Sequence, residues 1–428
     1  MTDINKGLLI SSVFLFLSQQ VNAAGFALDE YSANGLGRAH SGEAVIADNA
    51  AVIARNPAAM TLIEAPQLSS VFVAVKEDIR VTNLEINQTA DSIVPIQAAP
   101  AAYFVTPIDS SFSAGIGLYA PVGIEILYPD DFAVGDMGGH TRIIGLNINP
   151  AVAYRYDEQL SFGAGLNIIY GTIKVARNIG SAGTVFDNNF KASDRAILLR
   201  TDTFGIGYSL GFVYEVDEDN RFGLAYRNRI ALKFKDGDFE DITGRFIPER
   251  GGKTKVDLEL DIPPTLEFSG YHRFTEDWAV HYDVSWTRWA TFTGFLATDQ
   301  GKNVCRFNDK DENIGICLLD NKPFKNTVTY AAGLTHYFDD EWTFRGGVRY
   351  GQAAAKQVSM ITPDTDLIRV GLGATYQYSD QLSFDSGLSF RYGGKVDFDQ
   401  IDIQDNAKPF TLKRQGLLFG LQMNYNLW

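Results

Sequence analysis

The residues of this chain that could do chemistry are few and scattered. Its five histidines are His40, His140, His272, His281 and His336. His281, Asp283 and Ser285 stand two apart, so a β-strand would carry all three on one face. A histidine, an acid and a serine are the raw material of acyl transfer. No nucleophile motif surrounds Ser285, however, and polar residues two apart recur along the whole chain. The acids Asp309, Asp311 and Glu312 read as a solvated loop rather than a calcium site. Cys305 and Cys317 match no zinc spacing. No metal, no cofactor and no enzyme activity is therefore expected.

The elements that carry these residues alternate with period two. Phe204, Ile206, Tyr208, Leu210, Phe212, Tyr214 and Val216 fall on one face, while Gly205, Gly207, Ser209, Gly211 and Glu215 fall on the other. Only a β-strand sorts residues this way. Trp278–Thr287, Trp342–Tyr350, Leu367–Gln377 and Leu382–Tyr392 repeat the pattern. The runs are longer than strands of soluble proteins usually are. Connections also alternate in length. Short turns such as Asp217-Glu218-Asp219-Asn220, Thr275-Glu276-Asp277 and Asp339-Asp340-Glu341 are separated by much longer segments. Trp278, Trp342, Phe338, Tyr378 and Phe384 lie beside the short turns, where an interfacial girdle belongs. The fold class is all-β: a transmembrane antiparallel barrel with short periplasmic turns and long extracellular loops. About fourteen strands are expected, beginning near Gln67, Ile96, Ser111, His140, Leu160, Thr203, Arg221, Lys253, Trp278, Lys325, Trp342, Leu367, Leu382 and Lys413.

Composition supports that class. With 428 residues, 29 Phe, 19 Tyr and 40 Gly, the chain is not a disordered polymer. A formal charge of −15 repels phosphate, so no nucleic-acid partner is expected. The longest apolar run, Leu8–Leu17, is about half of a spanning helix. Preceded by Lys6 and followed by Val21-Asn22-Ala23, it reads as a signal peptide over residues 1–23. Export would permit a Cys305–Cys317 disulfide. Residues 24–63 lack the two-residue period and are rich in Ala and Gly. Some forty residues without cysteine pairs rarely fold alone, so a plug, or hatch, inside the lumen is favoured over a periplasmic domain. The barrel then spans 64–428.

Several blocks carry a resemblance. Ala24-Gly25-Phe26, Gly35-Leu36-Gly37-Arg38-Ala39, Ser41-Gly42-Glu43 and Asn56-Pro57-Ala58, with Tyr119-Ala120-Pro121-Val122-Gly123 and Trp342-Thr343-Phe344-Arg345-Gly346, resemble the FadL family of outer-membrane transporters for long-chain fatty acids, whose relatives import aromatic hydrocarbons. The resemblance implies a fourteen-stranded barrel with an N-terminal hatch and an apolar pocket. It also implies a lateral exit through a gap made by a kink in the third strand. On that basis Phe26 is the residue whose movement opens the pocket. Asn56, Pro57 and Ala58 form the hatch motif beside the opening, and Pro121 and Gly123 mark the kink, because proline cannot donate to a sheet. Arg177 and Lys325 align with basic residues near the substrate carboxylate, where charge-assisted bonds would form. The loop of about Gly180–Thr201 is shorter than in the best-known members.

The expected partners are a hydrophobic small molecule, outer-membrane lipid and lipopolysaccharide, and a monomer is expected. Long-chain fatty acid is the favoured substrate, because a neutral hydrocarbon needs no basic pair. Uptake of aromatic hydrocarbons is the alternative. A general porin, with Arg345, Arg349, Arg369, Asp283 and Asp385 facing a wet bore, is the third reading.

Overall fold

The computed structural model describes residues 26–180, 190–249, 251–307, 313–320, 322–402 and 406–427. The expected signal peptide and the acids Asp309, Asp311 and Glu312 lie outside these residues. Fourteen barrel strands follow one another: β1 (Gln67–Asn83), β2 (Gln97–Pro107), β3 (Phe112–Leu127), β4 (His140–Arg155), β5 (Leu160–Asn178), β6 (Arg195–Glu215), β7 (Asn220–Arg227 and Ile230–Asp241), β8 (Gly252–Ile262 and Thr265–Arg273), β9 (Trp278–Thr287 and Phe295–Thr298), β10 (Ile316–Asp320 and Thr327–Tyr337), β11 (Trp342–Gly351), β12 (Leu367–Ser379), β13 (Leu382–Ile401) and β14 (Ala407–Asn426). A short strand, Gln88–Ala90, adds to the upper end of β1. Neighbours pair antiparallel, and β1 pairs with β14 from Gln67↔Asn426 to Asn83↔Phe410. The sheet thus closes, which removes its edges.

The wall is inverted relative to a soluble protein. Phe204 and Ile206 are each 68% exposed, whereas Asn147, Asn149 and Asn167 on the inner face are each 1% exposed. An outer surface of this kind is stable only against hydrocarbon. At the short-turn rim, Trp342 stacks on Phe344 and packs against Tyr376 at 4.8 Å. This rim is the aromatic girdle that the turn-flanking residues suggested.

Residues 26–63 run inside the barrel. Helix α1 (Ala33–Gly37) is capped by Ser32, whose Oγ accepts from the Gly35 N–H. Two 3-10 turns follow, Ala50–Ala54 and Pro57–Leu62, capped by Asn49 and Asn56. The Ala-rich stretch from Ala44 is therefore helical only in its second half. Small residues let these pieces approach the wall. A Cβ on Gly373 would lie 2.9 Å from Gly37 Cα, and one on Gly163 would lie 2.2 Å from the Ala58 nitrogen.

Three boundaries differ from the period-two reading by several residues. Strand β6 begins at Arg195, β10 at Ile316 and β14 at Ala407, each six to nine residues before the expected start. Successive residues are buried in these extensions, as at 196–199 and 410–412, so alternation carries no signal there. The last seven residues of the stretch read as the Gly180–Thr201 loop, 195–201, are therefore strand. Cys305 and Cys317 form a disulfide across the β9–β10 connection.

Candidate binding site and wall opening

The third strand is broken where its proline falls. β3 pairs with β4 as Tyr119↔Asn147 and then Val122↔Gly145. Ala120 and Pro121 therefore oppose Leu146 alone, which defines a one-residue bulge. On its other side β3 pairs with β2 only from Ala102↔Leu118 to Pro107↔Ser113. Above that, Gln97–Ala101 of β2 pair with β1 but not with β3. Pro100 lies in this unpaired stretch and Pro121 in the one facing it. Two prolines thus flank the gap, each at a position where a missing donor is tolerated.

The hatch N-terminus occupies the free edge of β3. The Leu28 N–H donates to the Pro121 carbonyl at 3.0 Å, and the Gly123 N–H donates to the Phe26 carbonyl at 3.2 Å. Ala27 and Val122 face each other as an antiparallel bridge. Higher up, the Leu127 N–H donates to the Ile93 carbonyl at 2.7 Å, which bounds the gap. The ladder also slips between β6 and β7, but there wall residues repair it. Asn228 both accepts from the Tyr208 N–H and donates its own N–H to the Tyr208 carbonyl. At β3 the repair comes from a different part of the chain.

Phe26 lies at the centre of the arrangement. Its ring meets Trp289 edge-on at 4.9 Å and Phe292 at 5.2 Å. With these aromatics it belongs to a continuous apolar cluster that lines the long-loop half of the lumen, including Ile169, Leu199, Phe234 and Leu260. Phe26, Ala27 and Leu28 also line a groove at the gap together with Val75, Val94, Ile124 and Ile126. One short segment therefore separates an apolar chamber from a groove in the wall.

Charge fixes the rest of the hatch. Glu30 is buried and pairs with both Arg369 and Arg391, and Arg391 reaches on to Glu77. Asp29 meets Arg349 at 2.7 Å, and Asp48 lies 3.4 Å from Arg345. Glu43 lies 3.0 Å from both Arg38 and Arg55. The arginines that a porin would expose to water are thus spent on hatch carboxylates. Burial opposes ionisation of Glu30, but Arg391 and Arg369 outweigh it and hold the carboxyl down to about 2. A carboxyl depressed in the folded state stabilises it above the ordinary value of 4.5, and loses that effect as pH falls toward 2. Hatch seating should therefore persist through mild acid. Replacing Glu30 with Gln leaves the buried Arg369 guanidinium without its carboxylate partner and Arg391 with Glu77 alone, which costs about 3 kcal/mol or more. The variant is expected to show raised, fluctuating conductance in planar bilayers where the native chain stays closed.

Other residues singled out by the sequence are placed as follows. Asn56 is buried, donating to the carbonyls of Ala44 and Phe212 and accepting from the Ala58 N–H. With Pro57 and Ala58 it sits against Gly163 of β5 and Gly211 of β6. The motif is thus anchored on β5 and β6 rather than on the β2–β3 gap, because the glycines that admit it lie there. Arg177 is buried at the top of β5, donating to the Ala176 and His140 carbonyls. It lines a cavity with Asp136, Phe246, Leu318, Asp320 and Lys322. Lys325 is exposed and lines a different concavity. The structure does not bring Arg177 and Lys325 together, and Lys322 takes the second basic position beside Arg177. His281 bonds Ser41 at 2.7 Å and Thr335 at 3.0 Å, while Asp283 accepts from Ser269. His281, Asp283 and Ser285 thus form no triad.

Pro100, Trp289, Phe292, Lys322 and the hatch carboxylates Glu30 and Asp48 were not singled out from the sequence. Pro100 carried a signal, being a proline inside a strand pattern. The carboxylates' partners on the barrel wall, Arg369 and Arg391 for Glu30 and Arg345 for Asp48, lie more than 290 residues away, so no local pattern reveals them.

A closed barrel with an apolar outer belt, a plugged bore and an apolar inner chamber defines a transport protein of the bacterial outer membrane. The chain belongs to the family described as Outer membrane protein transport protein (OMPP1/FadL/TodX), which it matches over residues 14–427. It is 32% identical to a long-chain fatty acid transport protein of Escherichia coli O6:H1, covering 99% of both chains. It is also 32% identical, over the full length of both, to outer membrane protein P1 of Haemophilus influenzae. Among solved structures, a Pseudomonas aeruginosa FadL homologue superposes with a TM-score of 0.80 at 20% identity, covering 94% of this chain and all of that one. The Pseudomonas putida toluene transporter TodX superposes with a TM-score of 0.71 at 16% identity, covering 94% of this chain and 99% of that one. These two likenesses show a shared fold.

Proposed function

We propose that the chain admits hydrophobic small molecules, long-chain fatty acids foremost, by passive diffusion through the apolar chamber and out through the β2–β3 gap. The observation that carries this reading is the position of Phe26–Leu28 between chamber and gap. A tail in the chamber competes with the Phe26 ring for Trp289 and Phe292. Displacing Phe26 draws the hatch N-terminus off β3, and the gap then leads into membrane. Each CH₂ kept out of water is worth roughly 0.8 kcal/mol, so a sideways exit into hydrocarbon avoids a barrier that grows with tail length.

Fatty acid is favoured over neutral hydrocarbon for two reasons. The full-length relative at 32% identity is named for long-chain fatty acids, and Arg177 and Lys322 line one cavity at the long-loop end. Asp136 shares that cavity, and burial, reinforced by Asp402, pushes its carboxyl up to about 7. Above that value Asp136 is ionised and competes with a fatty carboxylate for Arg177. Below it Asp136 is neutral and no longer competes, which leaves Asp320 as the cavity's other carboxyl facing Arg177. Oleate affinity is therefore expected to rise several-fold between pH 8 and pH 6, and Asp136→Asn should give the high affinity at both. A flat profile in the native chain would remove Arg177 from the headgroup's surroundings.

The second reading, neutral aromatic hydrocarbon, is favoured by the ring cluster Phe26–Trp289–Phe292. Uptake of labelled oleate and labelled toluene, by cells lacking their own transporter and expressing this chain, decides between them. Toluene uptake without oleate uptake would replace the first reading by the second.

A further inference from the structure

At the long-loop end the outer face carries a basic concavity. Lys322, Lys325, Lys356 and Lys395 line it, against Asp397 and Asp399. Among the described residues, only Lys395 of these lysines has a carboxylate within ion-pair distance, Asp397 at 3.4 Å. In a chain of net charge −15, such a concentration of lysine is not a consequence of composition.

The ladder beside it repeats the anomaly. Lys395 on β13 is directly opposite Lys413 on β14, and Lys413 is directly opposite Arg80 on β1. All three are exposed. Like charges placed directly opposite each other destabilise a sheet. Arg80 has Asp78 and Asp91 beside it, but Lys413 has no ion pair among the described residues. An anion from outside the chain would relieve this row.

An apolar surface adjoins the cations. Ile368 and Tyr392 line the same concavity and are opposite each other on β12 and β13. From them the outward pairs Val370↔Phe390 and Leu372↔Leu388 continue toward the other rim. The cations therefore stand where the hydrocarbon-facing belt ends. A ligand that satisfies both surfaces has phosphates at this height and several acyl chains beneath them.

We propose that this face binds the phosphorylated glycolipid of the outer leaflet, lipopolysaccharide, with its phosphates on Lys356, Lys395 and Lys413 and its chains along β12 and β13. Basic clusters at a membrane boundary recognise anionic headgroups through the same physics.

The test uses the purified full chain in detergent, titrated with bisphosphorylated lipid A and followed by native mass spectrometry. The triple variant Lys356→Gln, Lys395→Gln, Lys413→Gln is expected to bind about tenfold more weakly or worse, and the triple arginine variant to bind like the native chain. Dephosphorylated lipid A should bind the native chain as weakly as bisphosphorylated lipid A binds the glutamine variant. Heat-modifiable migration in detergent gels verifies that each variant forms the barrel. Equal affinity of native chain and folded glutamine variant, or equal affinity for the two lipids, would overturn the proposal.

Discussion

Joining residue 27 to residue 122 is expected to reduce fatty acid uptake to that of cells without the protein. Ala27 and Val122 are the facing residues of the bridge between hatch and wall. The bonds from Leu28 to Pro121 and from Gly123 to Phe26 lie on either side of them. They are thus a non-hydrogen-bonded antiparallel pair, the arrangement in which side chains approach most closely and a disulfide fits. Ala27→Cys with Val122→Cys, made with Cys305→Ser and Cys317→Ser, places the only two thiols at this contact. When oxidised, the bond holds Phe26 against Trp289 and Phe292 and the gap stays closed. A reductant should restore uptake in the same cells. Undiminished uptake by the oxidised form would show that cargo leaves by another way, and no change of fold explains such a result, because the bond joins residues already in contact.

The two halves of this site were legible to different degrees. The barrel is written in the alternation of its strands, because each strand meets lipid on one side and the lumen on the other. Seven strand starts (Gln67, His140, Leu160, Trp278, Trp342, Leu367 and Leu382) fall where the period places them. Pro121 marked the bulge for the same reason, since a proline inside a strand is a local conflict. The hatch obeys no such rule. Its helices are single turns held by caps and by glycines in distant strands, and its charges answer arginines on β11, β12 and β13. Arg345, Arg349 and Arg369 looked like porin residues because alternation reports that a side chain points inward. It does not report whether water or a carboxylate waits there. Lys325 illustrates a related limit. Its place near the top of β10 was legible, but β10 is interrupted between Asp320 and Thr327, and the alternation cannot be carried across the break to say which cavity the side chain joins.

Deleting Pro121 is expected to leave a folded barrel that transports nothing. In the native chain Tyr119 and Val122 both point inward although three positions apart, because the bulge absorbs one residue. Without Pro121 they stand two apart, Ala120 opposes Leu146, and alternation runs unbroken through β3. The straightened strand can then meet Gln97–Ala101 of β2, closing the wall with ladder bonds. Those bonds compete directly with the ones that Phe26 and Leu28 make to β3, so the hatch N-terminus loses its seat on the wall. Heat-modifiable migration should match the native chain, while oleate uptake falls to background. Pro121→Ala is the informative companion. It keeps the extra residue, and with it the bulge, so it should transport like the native chain. Loss of uptake in both would assign the effect to the proline ring rather than to the gap, and uptake by the deletion variant would show that an unbroken third strand does not obstruct the cargo.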